Sequence, residues 1–366
     1  MKNTKIALAT ASALLITTAF SNAQTTVGGN MRIGVKGVSS DLGGGLGSNS
    51  RMVKETQINI ANKGKLNVGG LEYAAGFSVE FDGSDLNQPA AGTASAFGKA
   101  HYENNYINII NPSTKTTLTF SADHLKPSDV QLSDIVGGPV RVDHVADRSA
   151  ASAAGVAARS KYTHRMDDKG SNEGFGIGII QELSNLGAFR FIYQPDSSED
   201  ASALGDTGGD MNDALSASTN SMYDMSLRGS LGIKGLDVLV SRNKQGGTGS
   251  ARDIKFHSEG VKYTMGDITG AYQQSKGEYS TTAGQDAKSK EYGLAYTVNP
   301  NLSVGAVLIK TKDDSAAGIE EKITGLTIGY NLGPVLLSTI VTKIDDSNNV
   351  AGQDGKAIQL TLGTTF

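Results

Sequence analysis

The residues best suited to chemistry in this chain are charges, and the chemistry open to them is the sorting of ions. Arg32, Lys36 and Arg51 stand near the start, with Glu55, Glu80 and Asp82 close behind. A second group, Asp123, Asp129, Asp134, Asp143 and Asp147, is strung along the stretch from Asp123 to Ala158, which also holds Arg141, Arg148, His124 and His144. Opposite charges that face each other across a confined aqueous gap make a transverse field, and rings of charged side chains discriminate by sign. Arg190, Asp224 and Arg228 are further candidates of the same kind.

Bond-breaking chemistry has no comparable support. The five histidines, at 101, 124, 144, 164 and 257, form no His-x-x-x-His pair and stand beside no Gly-x-Ser-x-Gly. There is no cysteine, which removes thiolate metal sites, Cys nucleophiles and disulfides together. No cofactor is implied. The carboxylates of 196–213 (Asp196, Glu199, Asp200, Asp206, Asp210 and Asp213) lack the fixed spacing of a calcium loop and are read as a solvated acidic loop. Gly43-Gly44-Gly45-Leu46-Gly47 has no βαβ context and is read as a flexible first loop, not a nucleotide cradle. We therefore expect no enzyme.

The elements that must position the charges are strands. Side chains alternate in polarity with period 2, as half-buried strands do. Ile358, Leu360, Leu362, Thr364 and Phe366 fall on one face of the last segment, with Gln359, Thr361, Gly363 and Thr365 on the other. Near the start, Val27, Met31, Ile33 and Val35 alternate with Asn30, Arg32, Gly34 and Lys36. The pattern predicts strands at 27–37, 50–61, 71–82, 102–110, 116–122, 174–182, 187–194, 221–231, 236–243, 254–264, 268–276, 290–298, 302–312, 321–330, 335–344 and 356–366. The segment 159–165 also reads as extended. Either it is the sixth strand, with 174–182 and 187–194 sharing one span, or it lies inside the long connection that follows 116–122.

Connections alternate short and long. Asn331-Leu332-Gly333-Pro334, Asn299-Pro300-Asn301, Met265-Gly266-Asp267 and Gly232 to Gly235 are tight, whereas 345–355, 313–319, 277–287, 243–253 and 195–220 are longer and polar. Short turns on one rim and long loops on the other mark a transmembrane barrel. Such a barrel pairs every backbone polar group between strands, which is how an exported chain without disulfides can be stable. Composition agrees. There are 46 glycines where average usage gives about 26, and only 7 prolines. Mean hydropathy is −0.23, which such a barrel permits because one residue in two faces lipid.

Residues 1–23 have the layout of a secretory signal peptide. Lys2 and Lys5 precede an apolar run from Ile6 to Phe20, and Ser21-Asn22-Ala23 offers a cut after Ala23. Residues 24–366 then form one barrel domain. The net charge of −4 becomes about −6 without Lys2 and Lys5, which argues against nucleic acid as a partner.

The chain resembles the general trimeric porins of Gram-negative bacteria. Thr26-Val27-Gly28-Gly29-Asn30-Met31-Arg32-Ile33-Gly34-Val35 is similar to the first strand of that family. Gly69-Gly70-Leu71-Glu72-Tyr73, running into Phe77-Ser78-Val79-Glu80-Phe81, resembles its Gly-Gly-Leu turn and third strand. Asn105-Tyr106-Ile107-Asn108-Ile109, Asn111-Pro112 and Thr117-Leu118-Thr119-Phe120 resemble the hairpin that leads into the third loop. Two signatures differ. Ser121-Ala122-Asp123 stands where the family often has Gly-Arg-Gln, and Val136-Gly137-Gly138-Pro139 where it has an acidic Pro-Glu-Phe-Gly-Gly loop.

The resemblance implies a sixteen-stranded antiparallel barrel, a homotrimer, set in the outer membrane among its lipids and lipopolysaccharide. Small hydrophilic solutes and ions would pass through it by diffusion. The Asp123–Ala158 loop would fold inward and narrow the lumen, and the terminal Phe366 would be read by the outer-membrane assembly machinery. Strand parity puts Arg32, Lys36, Arg51, Glu55, Glu80, Asp82, Arg190, Asp224 and Arg228 on the lumen side. A substrate-specific channel of the same fold, or a structural or adhesive barrel, are the other readings. The long loops 195–220 and 345–355 are expected outside the cell, so an epitope inserted near Gly208 should label intact cells. Labelling confined to permeabilised cells would mean that the barrel is inverted.

Overall fold

The structure, a computed structural model, describes residues 23–40, 49–81, 101–122, 175–194, 221–245, 254–279, 286–313, 319–346, 351–352 and 354–366. Residues 1–22, which hold most of the expected signal peptide, lie outside the described residues, as do 123–174.

Sixteen strands follow one another along the chain: β1 (Gln24–Ser40), β2 (Asn49–Lys65), β3 (Glu72–Glu80), β4 (His101–Asn111), β5 (Thr116–Ala122), β6 (Phe175–Glu182), β7 (Ala188–Gln194), β8 (Met222–Gly229), β9 (Leu236–Gln245), β10 (Ile254–Met265), β11 (Ile268–Tyr279), β12 (Ala287–Asn299), β13 (Leu302–Asp313), β14 (Glu320–Asn331), β15 (Val335–Asp345) and β16 (Gly355–Thr365). Each pairs antiparallel with its neighbours in sequence, and β16 pairs with β1 to close the barrel. β5 pairs directly with β6, and β6 with β7. Residues 175–182 and 188–194 are thus two separate spans, which corrects the reading in which they share one. The ring closes without 159–165.

Glycine and asparagine make the tight turns. The two-residue turn Gly266–Asp267 joins β10 to β11 with Gly266 at φ +60°, the left-handed region that such a turn demands. Three others start with Asn, whose side-chain Oδ1 accepts a backbone N–H two residues on: Ser113 to Asn111 at 3.1 Å, Asn301 to Asn299 at 2.9 Å and Gly333 to Asn331 at 3.0 Å. Two register slips interrupt the wall among the described residues: one between Gly76 and Ser78 of β3, opposite Asn104 at φ +53°, and one between Thr297 and Asn299 of β12.

Alternation fixes the two faces. Along β14 the exposed positions include Leu326, Ile328 and Tyr330, while Glu321, Ile323 and Thr327 between them are buried. The exposed apolar parity recurs around the ring, as with Val261 and Tyr263, Leu294 and Tyr296, or Leu360 and Leu362. In a closed ring this face can only be the outer one, where lipid receives it. Tyrosines gather at both its borders. Tyr263, Tyr296 and Tyr330 lie near the short turns and Tyr193 and Tyr223 near the long connections, as interfacial girdles do.

The seam extends to Phe366. The Gly29 N–H donates to the Phe366 carbonyl at 2.8 Å, and the Phe366 N–H donates to the Gly29 carbonyl at 3.0 Å. A Cβ at Gly29 would fall 2.3 Å from the Gln57 carbonyl oxygen and 2.7 Å from Cζ of Phe366, so the ring lies where a side chain of β1 would otherwise stand. Gly29→Leu should therefore force the seam apart at a cost of about 1–3 kcal/mol. Deleting Phe366 should lower the amount of folded protein in the outer membrane. The compact, heat-modifiable species on unheated gels reads both, and undiminished folding after deletion would show that the seam does not need Phe366.

Candidate functional site

The inner face of the ring is polar for most of its circumference. On β1 to β5 amides and hydroxyls bond across strands: Asn30 Nδ2 to Gln57 Oε1 at 3.1 Å, Ser78 Oγ to Asn59 Oδ1 at 2.6 Å, Asn104 Nδ2 to Ser78 Oγ at 3.3 Å, and Thr119 Oγ1 to Asn108 Oδ1 at 2.7 Å. These groups donate and accept in turn, so the wall presents no single sign.

Six further hydroxyls form one row. Ser226 of β8 pairs in register with Ser241 of β9, and Ser241 with Ser258 of β10. Ser258 pairs with Ser275 of β11, Ser275 with Ser289 of β12, and Ser289 with Thr311 of β13. Ser258 and Ser275 are bonded at 2.8 Å, and Thr311 Oγ1 donates to Ser289 Oγ at 3.2 Å. All six are buried. The row begins a few residues from the short turns on β8 and ends beside the long connections on β13, because paired positions step across tilted strands. It runs from Arg190, which pairs with Ser226, to Glu321, which pairs with Thr311.

Apolar side chains also reach this face. Ile309, Ile323 and Ile344 occupy successive paired positions on β13 to β15 and are nearly inaccessible. The inner wall of the later strands is thus mixed.

The charges expected on the inner wall take the following register positions where they are described. Arg32 lies on the inward parity of β1, opposite Glu55 of β2 and Gly363 of β16. Lys36 and Arg51 are register partners, and Glu80 closes β3 opposite Gln57 and His101. The fold thereby gathers Arg32, Lys36, Arg51, Glu55 and Glu80 onto three adjacent strands. Arg190 and Asp224 share the inward parity of β7 and β8, Asp224 being fully buried. Asp82, Asp123, Asp129, Asp134, Asp143 and Asp147 lie outside the described residues.

Arg228 also faces inward, but it is held. Its Nε lies 3.1 Å from each carboxylate oxygen of Asp237 on β9, and Nη2 donates to Oδ2 at 2.5 Å. Lys262 of β10 adds its ammonium 3.4 Å from the same Oδ2. One carboxylate thus serves two cations. Asp237 and Lys262 escaped the sequence reading because a charge pair between strands shows only once the register is known. The parity of Leu236 and Val238 about Asp237 was the available signal. Among the described residues no cluster of three or more His, Asp or Glu side chains could hold a metal ion.

The comparisons with known proteins agree with this geometry. A family model described as Gram-negative porin matches residues 9–299. No curated protein matches the chain. Among solved structures, the anion-selective porin from Comamonas acidovorans is similar over 94% of this chain and 100% of its own, with a TM-score of 0.63 and 14% identity. A triple mutant of the Rhodopseudomonas blastica porin is similar over the same shares, with a TM-score of 0.57 and 15% identity.

Removing the shared carboxylate tests the inner cluster. Asp237→Ala leaves Arg228 and Lys262 facing each other. The side chains are 33%, 20% and 28% exposed for Arg228, Asp237 and Lys262, so solvent moderates the effect. We expect a loss of about 1–2 kcal/mol in urea unfolding, between the range for exposed pairs and that for buried ones. Adding Arg228→Ala should recover part of it.

Proposed function

The chain belongs to the Gram-negative porin family, and from that membership we propose that its selectivity is set where the Asp123–Ala158 segment meets the basic wall of β1 and β2. As a porin it is a channel, not an enzyme: a water-filled path through the outer membrane for passive diffusion of ions and small hydrophilic solutes. The observation that carries the reading is the closed ring of sixteen strands with an apolar outside and a largely polar inside.

The placement of the constriction follows from width. A sixteen-stranded barrel leaves an aqueous lumen too wide to sort ions unless something fills part of it. At 52 residues, the connection between β5 and β6 is the longest in the chain. Its Asp123, Asp129, Asp134, Asp143 and Asp147 would stand across the gap from Arg32, Lys36 and Arg51, and a transverse field in a low-dielectric-walled space would act on passing ions. Glu55, Glu80 and Asp82 temper the basic side.

Three further readings belong to the same proposal. Export uses residues 1–23 as a signal peptide cut after Ala23. The functional unit is a homotrimer. Phe366, exposed on the outward parity beside Leu362, is the signal taken by the assembly machinery. Swelling of liposomes in a panel of sugars and amino acids separates the general channel from a substrate-specific one, because a general channel sorts by size and a specific one saturates.

Charge reversal tests the constriction. Arg32→Glu with Arg51→Glu should move the reversal potential toward cations in a salt gradient. The shift should be larger at low ionic strength, since the Debye length grows from about 8 Å at physiological strength to about 30 Å at 0.01 M. An unmoved reversal potential in a folded double mutant would place the selective region elsewhere.

A further inference from the structure

The pairing of Arg228 with Asp237 leaves part of the guanidinium unused. A guanidinium has two edges, each able to hold an oxyanion through two hydrogen bonds. Asp237 takes the side edge, formed by Nε and Nη2. The end edge, formed by Nη1 and the second hydrogen of Nη2, makes no further hydrogen bond among the described residues. Lys262 stands 3.4 Å from the same carboxylate with three donors on its ammonium. Two cations share one carboxylate, so one positive charge is left over.

The position of the cluster makes that surplus reachable. Arg228 is next to last in β8, Asp237 is second in β9, and Lys262 is fourth from the end of β10, all beside short turns. Asp237 is directly opposite Lys262, and Leu239 is directly opposite Arg228. Leu239 and, on β11, Gln273 are fully buried, whereas the three charged side chains keep a fifth to a third of their surface exposed. The cluster is therefore approached from the short-turn end. Nearer that end, on the same inward parity, Thr264 of β10 and Thr269 of β11 are register partners with hydroxyls 3.0 Å apart. A hydroxyl can turn its hydrogen toward an anion.

We propose that the end edge of Arg228, with the charge of Lys262 beside it, is a binding site for an oxyanion, the carboxylate or phosphate of a small solute, at the short-turn mouth of the channel. Asp237 is the positioning residue. It fixes the guanidinium in one orientation, so the free edge is presented without further ordering of a long side chain. The planar fork matches a pair of oxygens, which a halide lacks. The site lies on β8 to β10, away from the basic wall of β1 and β2. In a water-filled lumen it does not close the path but raises the local concentration of oxyanions at one mouth. That role rests on the channel reading, which conductance of the unaltered protein tests by itself. Binding is measured without any current.

Inorganic phosphate is the first probe, titrated calorimetrically into the folded protein in neutral detergent. Acetate is the carboxylate probe and chloride the halide. The unaltered protein should bind phosphate saturably. Arg228→Lys keeps the charge but loses the fork, and should bind about tenfold more weakly. Lys262→Gln should bind about threefold more weakly. Lys115→Gln, which removes a cation from the turn between β4 and β5, should bind as the unaltered protein does. Acetate should compete with phosphate, and chloride at the same concentration should not. The tighter of the two oxyanions tells whether carboxylated or phosphorylated solutes are the better occupants. Undiminished binding by Arg228→Lys, an equal loss in Lys115→Gln, or displacement by equimolar chloride would overturn the proposal. If Arg228→Lys fails to fold, the unaltered protein is treated with phenylglyoxal, which reacts at the end edge of arginine. Phosphate should slow modification of Arg228, read by mass spectrometry of its peptide, and equal modification with and without phosphate would overturn the proposal as well.

Discussion

Everything in this molecule depends on the pairing of backbone N–H and C=O groups where no water can reach them. Hydrocarbon leaves an unpaired peptide group without a substitute partner. An open sheet would expose two such edges, so β16 must return to β1, and the ladder from Asn30–Thr365 to Ser40–Gly355 does this. Closure then dictates the rest. With a side-chain period of two, every strand offers one face to lipid and one to the interior. The same parity decides where a charge can stand. An inward arginine such as Arg32 or Arg228 is tolerated along the strand, whereas outward lysines such as Lys290 and Lys322 are confined to the rim, where the penalty for a cation in lipid fades.

The two sides of the wall answer to different solvents. Inside, Asn, Gln, Ser and Thr form cross-strand networks, and the Asp237 carboxylate is shared by Arg228 and Lys262. Outside, the apolar band is continuous, but its headgroup border is not uniform. Among the described residues the outward parity of β9 to β16 is cationic, and that of β3 to β8 is without lysine or arginine. The barrel is therefore continuous in backbone and two-sided in surface chemistry.

Much of the fold is legible in the sequence, for reasons that can be located. β5 was expected at 116–122 and stands at Thr116–Ala122, because Asn111-Pro112 and the polar stretch after Ala122 bound it sharply. Alternation placed Arg32 inside because Ile33 and Val35 mark the lipid side. Alternation fails where both faces are apolar. In β15, Ile340 and Ile344 point inward while Leu337 and Val341 point outward, so period alone could not tell lumen from lipid. The hydroxyl row was invisible for another reason. Serine is neutral to polarity patterns, and only the register lines up Ser226, Ser241, Ser258, Ser275 and Ser289. The outward lysines were missed because a charge on a barrel strand is first taken for a lumen group, a habit that holds at the midplane and lapses at the rim.

The seam also governs time. Fifteen of the sixteen pairings join consecutive strands, so the loop each one closes is no longer than the connection between them. The sixteenth joins residues separated by nearly the whole chain, Asn30 with Thr365. A contact of such sequence separation carries the largest closure entropy and is slow to form. Its ladder runs from Ser40 with Gly355 to Asn30 with Thr365 and is extended by Gly29 with Phe366. Any chain cut short, at whichever strand, keeps both of its edges and remains a template for pairing with other chains. The pairing of β16 with β1 is therefore the contact that removes both edges of the sheet at once.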